Sequence, residues 1–424
     1  MKSLITTLAL VTIAAPASAQ SAQPLTLARA IQIAIQQQPS VRVTKAQIEA
    51  AYGRVDQARV AQKPTATVAG TIGTSSARPP DRFFDQPDLS TGVSASLSWR
   101  IFDFGQTRAN IRAAEANAVA VAASTDVTTL DIESSVSIAF LEAVARARLV
   151  AVAEATVKSE DVHLDQARKF VAAQAKDPIE VAQAQARAAN ARSALAQAQS
   201  NDAVALANLR AAIGWVDPTV TFMIEQTWPT PPTDEPAPLA ALVQTARQRR
   251  PELLQLDKQV AASEASLTAA EAERRPVLSA QANTQWGPGT GDWKPDPSWT
   301  AALTLSWQLY DGGKSAADRR VAQAAVTGAI AQRDALLVSL TSELESARSR
   351  IVANSANVIA SNEAVTAARA QLKLADARYA QGLGSQIELA DAQTAVTTAE
   401  GNLIFAEWQL ANAWAQMRRA LGEH

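Results

Sequence analysis

Apolar residues recur at an interval of seven in the C-terminal half of the chain: Leu337, Leu344, Ile351, Val358, Val365, Leu372 and Tyr379. Three residues after each of the first six stand Leu340, Ala347, Asn354, Ser361, Ala368 and Ala375. A sustained period of seven keeps one seam of a helix against a partner and imposes a left-handed supercoil. No proline interrupts 313–380, so the pattern predicts one unbroken helix there, on the order of 100 Å long at about 1.5 Å per residue. A weaker series, Val136, Ala143, Val150, Val157, Leu164 and Val171, predicts a second such helix over 105–173. An ordinary helical bundle uses shorter helices with frequent caps.

The chain is also written twice. Ser96-Leu97-Ser98-Trp99-Arg100-Ile101-Phe102-Asp103-Phe104-Gly105 answers Thr304-Leu305-Ser306-Trp307-Gln308-Leu309-Tyr310-Asp311-Gly312-Gly313 at an offset of 208. Gln38-Pro39-Ser40-Val41 answers Arg250-Pro251-Glu252-Leu253 at 212, and Phe170 answers Tyr379 at 209. Offsets so nearly constant indicate an internal duplication. The expected division is a leader over 1–19, a first repeat over 20–227, a proline-rich linker over 228–238 and a second repeat over 239–424. Each repeat reads helix, strand, loop, strand, very long helix, turn, helix. The strands are expected at about 64–73, 92–102, 277–286 and 299–310, and the closing helices at 178–212 and 386–421.

Composition agrees with closely spaced helices. Apolar residues make up 47% of the 424 and aromatics only 5%, so small side chains dominate. With 39 basic against 41 acidic residues there is no basic surplus to suggest a nucleic-acid partner. The absence of cysteine excludes disulfides, thiolate metal sites and a cysteine nucleophile, and the two histidines, His163 and His424, are far apart in sequence. No metal or other cofactor is implied, and no catalytic constellation stands out.

Met1-Lys2-Ser3, an apolar run over 4–15 and Ala17-Ser18-Ala19 read as a cleaved signal peptide. The run is too short to span a bilayer, and no cysteine follows the cleavage site to carry a lipid anchor. A membrane role must therefore rest on strands. Val93, Ala95, Leu97, Trp99 and Ile101 alternate with Ser94, Ser96, Ser98 and Arg100. Trp299, Ala301, Leu303, Leu305, Trp307 and Leu309 alternate with Thr300, Ala302, Thr304, Ser306 and Gln308. Leu278, Ala280, Ala282 and Trp286 repeat the pattern, and Ala66, Val68, Gly70 and Ile72 carry it more faintly. Strands of about 9–11 residues, apolar on one face and small-polar on the other, suit a transmembrane barrel with a wet lumen. The loops at 75–90 and 287–298 are expected to face water. Four strands leave edges that lipid does not tolerate, so an oligomer sharing one barrel is expected, its size left open.

The duplicated unit opens with Leu25-Thr26-Leu27 and Ala30-Ile31. With Arg250-Pro251-Glu252-Leu253, Gln308-Leu309-Tyr310-Asp311-Gly312-Gly313 and Arg378-Tyr379-Ala380-Gln381-Gly382-Leu383-Gly384, it resembles the TolC family of outer-membrane efflux proteins over nearly the whole mature chain. The resemblance implies a mainly α fold with membrane β: a homotrimer whose twelve shared strands form one barrel in the outer membrane of a Gram-negative bacterium, continued by a helical tunnel across the periplasm. It also implies two partners at the periplasmic tip, an adaptor (membrane fusion) protein and an energised inner-membrane pump of RND, MFS or ABC type. Trp99, Trp286, Trp299 and Trp307 would then mark the membrane interfaces.

The same resemblance directs attention to the helical turns. Arg378, Gly382, Leu383, Gly384 and Ser385, with Lys176 and Asp177 in the first repeat, correspond to the tip that meets the adaptor. Asp391, Glu388 and Glu180 would line the pore constriction as rings of negative charge. Capping is the competing role for two of them. Ser385 followed three residues later by Glu388 is a capping box, and Asp177-Pro178-Ile179-Glu180 has a cap, a proline at the first helical position and a glutamate in the first turn. Asp391 has no capping reason, and its counterpart in the first repeat is Gln183. The first turn, Ala172-Ala173-Gln174-Ala175-Lys176, departs from the family pattern by lacking glycine.

Gly313-Lys314-Ser315 follows a strand and opens a helix as a phosphate loop would, but Gln308 stands where that motif needs its first glycine. His163, with no second histidine near it, reads as a packed or solvated side chain. Two functions remain: a passive outer-membrane exit duct for drugs, other small molecules or a secreted polypeptide, as in efflux or type I secretion, and a soluble periplasmic coiled-coil adaptor or scaffold. Membrane-length alternating strands favour the first, and enzymatic activity is not expected.

Overall fold

The computed structural model describes residues 24–75, 88–217, 222–229, 236–289 and 292–423. The expected signal peptide, His424, most of the first hairpin loop and 230–235 of the expected linker lie outside them. The first repeat contributes α1 (Leu27–Gln37), α2 (Pro39–Val60), β1 (Thr65–Ser75), β2 (Asp88–Phe102), α3 (Gln106–Ala172) and α4 (Ile179–Ile213). The second follows the same order with α5 (Leu239–Arg249), α6 (Pro251–Ala272), β3 (Val277–Gly289), β4 (Asp292–Ser306), α7 (Lys314–Ala380) and α8 (Gln386–Leu421).

The two long helices, α3 and α7, are 67 residues each, about 100 Å. Each folds back on the next helix, α3 on α4 and α7 on α8, as a long hairpin. All thirteen residues of the α7 heptad seam are buried or half-buried, including its two polar members, Asn354 and Ser361. Asn354 donates from its side chain to the Gln409 carbonyl on α8 at 3.1 Å, which satisfies a polar group on the seam. Two mid-length cores brace the hairpins. One joins Phe140 and Val136 of α3 to Leu209 and Ile213 of α4 and Ala30 and Ala34 of α1. The other joins Leu340 and Leu344 of α7 to Met417 of α8 and Leu242 of α5. None of the described helices is long and apolar enough to cross a membrane.

Each repeat starts its long helix in the same way. Asp103 accepts from the Thr107 amide and hydroxyl and from the Gly105 amide, and Asp311 accepts likewise from Ser315 and Gly313. Gly105 and Gly313 take positive φ, 97° and 92°, which a side chain would strain. The apparent phosphate loop is thereby filled from within, since Lys314 pairs with Glu273 and Asp318.

The strands form one antiparallel sheet in the order β1-β2-β3-β4. Its register sets Val68 opposite Ala95, Leu97 opposite Ala282, Trp99 opposite Ala280, Leu278 opposite Leu305 and Ala280 opposite Leu303. Directly opposed residues share a face, so the alternating apolar sets of all four strands gather on one side. Thr65, Thr67, Thr71, Ser94, Ser96, Ser98, Gln281 and Asn283 gather on the other, while Thr91 and Thr284 fall among the apolar set. Among the described residues nothing covers the apolar side: Val68, Ile72 and Leu303 are 74%, 82% and 71% exposed.

Several strand limits differ from the sequence reading, β2 among them, which starts at Asp88 rather than 92. Pairing of β3 with β4 continues to Gly289 and Asp292, through Pro288, Pro295 and Pro297, so much of the expected 287–298 loop is strand. Proline lacks a donor, and an edge strand such as β4 tolerates that on its free side. At the other end β4 stops at Ser306 rather than 310. There the Trp307 indole donates to the Arg274 carbonyl at 3.2 Å, and Asp311 begins the cap of α7. In the first repeat Trp99 makes the equivalent bond to the Gln62 carbonyl at 3.0 Å while β2 continues past it through a bulge.

Candidate functional site: the two hairpin tips

At the far ends of α3 and α7 the chain reverses twice, and both reversals use one backbone design. In the second tip the Leu383 amide bonds the Arg378 carbonyl at 2.9 Å, the Gly382 amide bonds Tyr379, and Gly382 sits at φ 75°. In the first tip the Ala175 amide bonds Phe170 at 2.9 Å and the Gln174 amide bonds Val171. Gln174 takes the left-handed position there, with φ 57°. This is a Schellman-type helix end, which ordinarily selects glycine. The missing glycine thus leaves the turn geometry unchanged and puts a glutamine where the backbone is strained.

The tips are tied together. Lys176 donates to the Gly384 carbonyl at 3.2 Å, lies 3.6 Å from the Glu180 carboxylate, and stands 5.6 Å from the centre of the Tyr379 ring. The Tyr379 hydroxyl donates to Glu180 at 3.1 Å, and Phe170 meets the Tyr379 ring edge-on at 5.5 Å. Tyr379 is fully buried beside Leu389 and Ala392 of α8. Burial, the Glu180 charge and the Glu180 hydrogen bond together push the phenol up to about 12, so it stays a neutral donor throughout the physiological range. Gly384 is packed so closely that a Cβ would lie 3.0 Å from the Tyr379 amide nitrogen.

The remaining tip residues divide by what they touch. The Ser385 hydroxyl accepts from the Glu388 amide at 3.1 Å, and Asp177 accepts from the Ile179 amide at 2.9 Å, so these two carry the capping. The glutamates are engaged elsewhere, Glu388 with Arg378 at 3.5 Å and Glu180 with Lys176 and Tyr379. Asp391 is exposed on α8 with no hydrogen-bond or ion-pair partner among the described residues. Leu383 is exposed at the outermost point of the turn.

Behind the tip lies a second charged layer. The buried Glu160 of α3 pairs with Arg187 of α4 at 3.4 Å, and the buried His163 lies 3.9 Å from Asp376 of α7. Burial lowers the histidine's pKa against the pull of Glu160 and Asp376, so His163 is a packed, neutral side chain. Further along, α3 meets α8 through polar pairs: Ser159 with Gln393 at 2.7 Å, Thr156 with Thr397 at 3.0 Å and Arg148 with Glu407 at 3.0 Å. Sequence reading placed Tyr379 in the heptad seam, the duplication and the family motif, and gave it no role in joining the tips. A buried tyrosine needs a partner for its hydroxyl, and that requirement was the available signal.

At the other end of the molecule the four tryptophans are spread along the sheet. Trp99 and Trp307 stand toward the helical end, while Trp299 and Trp286 stand four and six residues beyond the level of Trp99, about 13 Å and about 20 Å along the strands.

Comparison with known proteins accords with this architecture. A family model described as "Outer membrane efflux protein" matches residues 30–215 and 242–423. The chain belongs to the outer membrane efflux protein family, whose members are channels. It is 30% identical over 267 residues to Protein CyaE of Bordetella pertussis, a match covering 62% of this chain and 55% of CyaE. The matched stretch is therefore little more than half of that relative's length. It is 23% identical over 395 residues to Nodulation protein T of Rhizobium leguminosarum bv. trifolii, covering 92% and 83% of the two chains. Its fold superposes on the Campylobacter jejuni CmeC outer membrane channel with a TM-score of 0.80 at 14% identity, over 93% and 85% of the chains. Family and fold support the outer-membrane duct and not the soluble adaptor.

Proposed function

We infer that the protein is one third of a passive exit duct in the outer membrane of a Gram-negative bacterium. Three copies contribute twelve strands to one barrel, and the α3–α4 and α7–α8 hairpins continue it as a tunnel through the periplasm. The observation that carries this reading is the sheet. Its register sorts most apolar and polar residues to opposite faces, yet its apolar face is bare, and β1 and β4 each pair on one side only among the described residues. Lipid outside, water inside and closure by neighbouring copies remove all three liabilities at once. Residues 1–19 are the leader that directs export, and the tryptophans toward either end of the sheet mark the two membrane interfaces.

The hairpin tips receive an adaptor protein, through which an energised inner-membrane pump of RND, MFS or ABC type delivers cargo, either small molecules or a secreted polypeptide. Arg378, Gly382, Leu383, Gly384, Ser385, Lys176 and Asp177 form the contact surface. Asp391, with Glu388 and Glu180 behind it, rings the aperture. Opening moves the second hairpin away from the first, which requires the Lys176–Gly384 and Tyr379–Glu180 bonds to be exchanged for contacts with the adaptor. The test is conductance of the purified, detergent-extracted protein across a planar lipid bilayer. Discrete, long-lived, cation-preferring steps of low conductance are expected; no insertion, with recovery from the soluble periplasmic fraction, overturns the duct.

A further inference from the structure

Where the sheet gives way to helices, two grooves meet. The larger, about 860 Å³, runs between the end of α2 and the start of α3 and is lined by Arg59, Lys63, Arg108 and Arg112 together with Asp56 and Glu115. Both acids face Arg59, at 3.6 Å and 2.8 Å. Lys63, Arg108 and Arg112 are exposed, and their side chains have no acidic or hydrogen-bonding partner among the described residues. The smaller groove, about 510 Å³, shares Gln62 and Arg108 with the first and is walled by Trp99, Phe102 and Phe104. Trp99 stands on the apolar face of the sheet and is hooked to Gln62, so that face runs directly into the basic groove.

The second repeat differs here: Ala316 stands at the place of Arg108, and only Arg320, at the place of Arg112, is likewise exposed and without an ion pair among the described residues. Arg275, the counterpart of Lys63, donates to the Phe104 carbonyl at 2.6 Å, and Lys314 is held by Glu273 and Asp318. In the first repeat three uncommitted cations line one groove beside an aromatic wall.

We propose that this junction binds an anionic glycerophospholipid of the periplasmic leaflet. Its phosphate lies among Lys63, Arg108 and Arg112, and its acyl chains follow Trp99 onto the apolar face of β2. The chemistry is that of an amphiphile: guanidinium groups bind phosphate oxygens with paired N–H donors, and Trp99, Phe102 and Phe104 offer apolar surface beside them, where the charged residues Arg100 and Asp103 pair with each other at 3.7 Å. The proposal rests on the exit-duct reading for the direction in which the sheet faces lipid.

The test is native mass spectrometry of the full-length, delipidated protein in detergent, titrated with phosphatidylglycerol or phosphatidylcholine of the same acyl chains. The protein is expected to prefer phosphatidylglycerol. Arg108→Gln and Arg112→Gln should each weaken that binding roughly five-fold, and Arg168→Gln, an equal loss of charge near the tip of α3, should leave it unchanged. Equal retention of the two lipids, or full preference in the double variant, overturns the proposal. So does complete displacement by soluble glycerol phosphate, which would make the groove a simple anion site. Both arginines are solvent-exposed and unpaired, so the variants should fold, with circular dichroism as the check. Membrane fractionation reads the duct separately: protein in the soluble fraction defeats the duct, whereas membrane-bound protein without lipid preference defeats this proposal alone.

Discussion

The two hairpin tips build one backbone turn from different residues, and the differences are complementary. Where the second tip has Gly382 in the left-handed conformation, the first has Gln174. Where the second has Gly384, with its carbonyl open and no room for a side chain, the first has Lys176, whose ammonium reaches that same carbonyl. Where the second has Asp391, the first has Gln183. A duplicated unit that kept identical tips could not lock to itself in this way. Divergence gave one copy the socket and the other the plug.

The lock predicts a hierarchy of effects. Tyr379→Ala removes a fully buried ring and the partner of Glu180, and should destabilise the tip by about 3–5 kcal/mol. Limited proteolysis within 172–178 and 380–386, with the rest of the molecule resistant, is the check. Phe170→Ala, which removes the half-buried ring that meets Tyr379 edge-on, should cost clearly less. Equal sensitivity of the two variants would break the asymmetry argued above.

Gly384→Ala comes next. The new Cβ would meet the Tyr379 nitrogen at 3.0 Å and the Arg378 carbonyl carbon at 3.2 Å, both backbone, so neither can swing aside. Overpacking of this kind costs about 1–3 kcal/mol. Because the displaced carbonyl is the one Lys176 binds, the variant should also raise the open fraction in bilayer recordings.

Much of the fold could be read from residues, and the tip lock could not. The heptad from Leu337 to Tyr379 and the alternation from Val93 to Ile101 are local periodicities, and each specifies which side of its element is buried or apolar. The lower limit of β4 was not legible, because the Trp307 bond to Arg274 that draws the chain out of the ladder joins residues 33 apart. Lys176 and Gly384 are separated by 208 positions, and nothing in either neighbourhood encodes the other. Gln174 hid its turn for a different reason: the signature of a left-handed helix end is glycine, and here the tertiary contacts hold the turn without it.

Gln174 is therefore where the comparison can be sharpened. Gln174→Gly should relieve the strained φ and stabilise the first tip by about 0.5–1 kcal/mol, while Gly382→Gln should destabilise the second by about 1 kcal/mol. Hydrogen exchange of the amides at 173–175 and 381–383 reads both changes. If neither moves, the positive φ values are not the cost they are taken for.

The smallest effect on stability concerns Asp391 and Gln183, and it carries the most information about the pore. Asp391 is exposed and unpaired among the described residues, so Asp391→Asn should leave stability within about 0.5 kcal/mol. On the exit-duct proposal three copies of Asp391 form a ring of carboxylates that concentrates cations, so the same change should reduce cation preference and single-channel conductance. Gln183 occupies the matching place on α4 and is likewise exposed. Gln183→Asp should then shift selectivity the opposite way, and the double variant Asp391→Asn, Gln183→Asp should restore part of what the first substitution removed. Unchanged conductance and ion preference in Asp391→Asn would remove the carboxylate ring from the aperture. A response to Asp391 but none to Gln183 would mean that the second hairpin alone lines the constriction, with the first serving as the frame against which it closes.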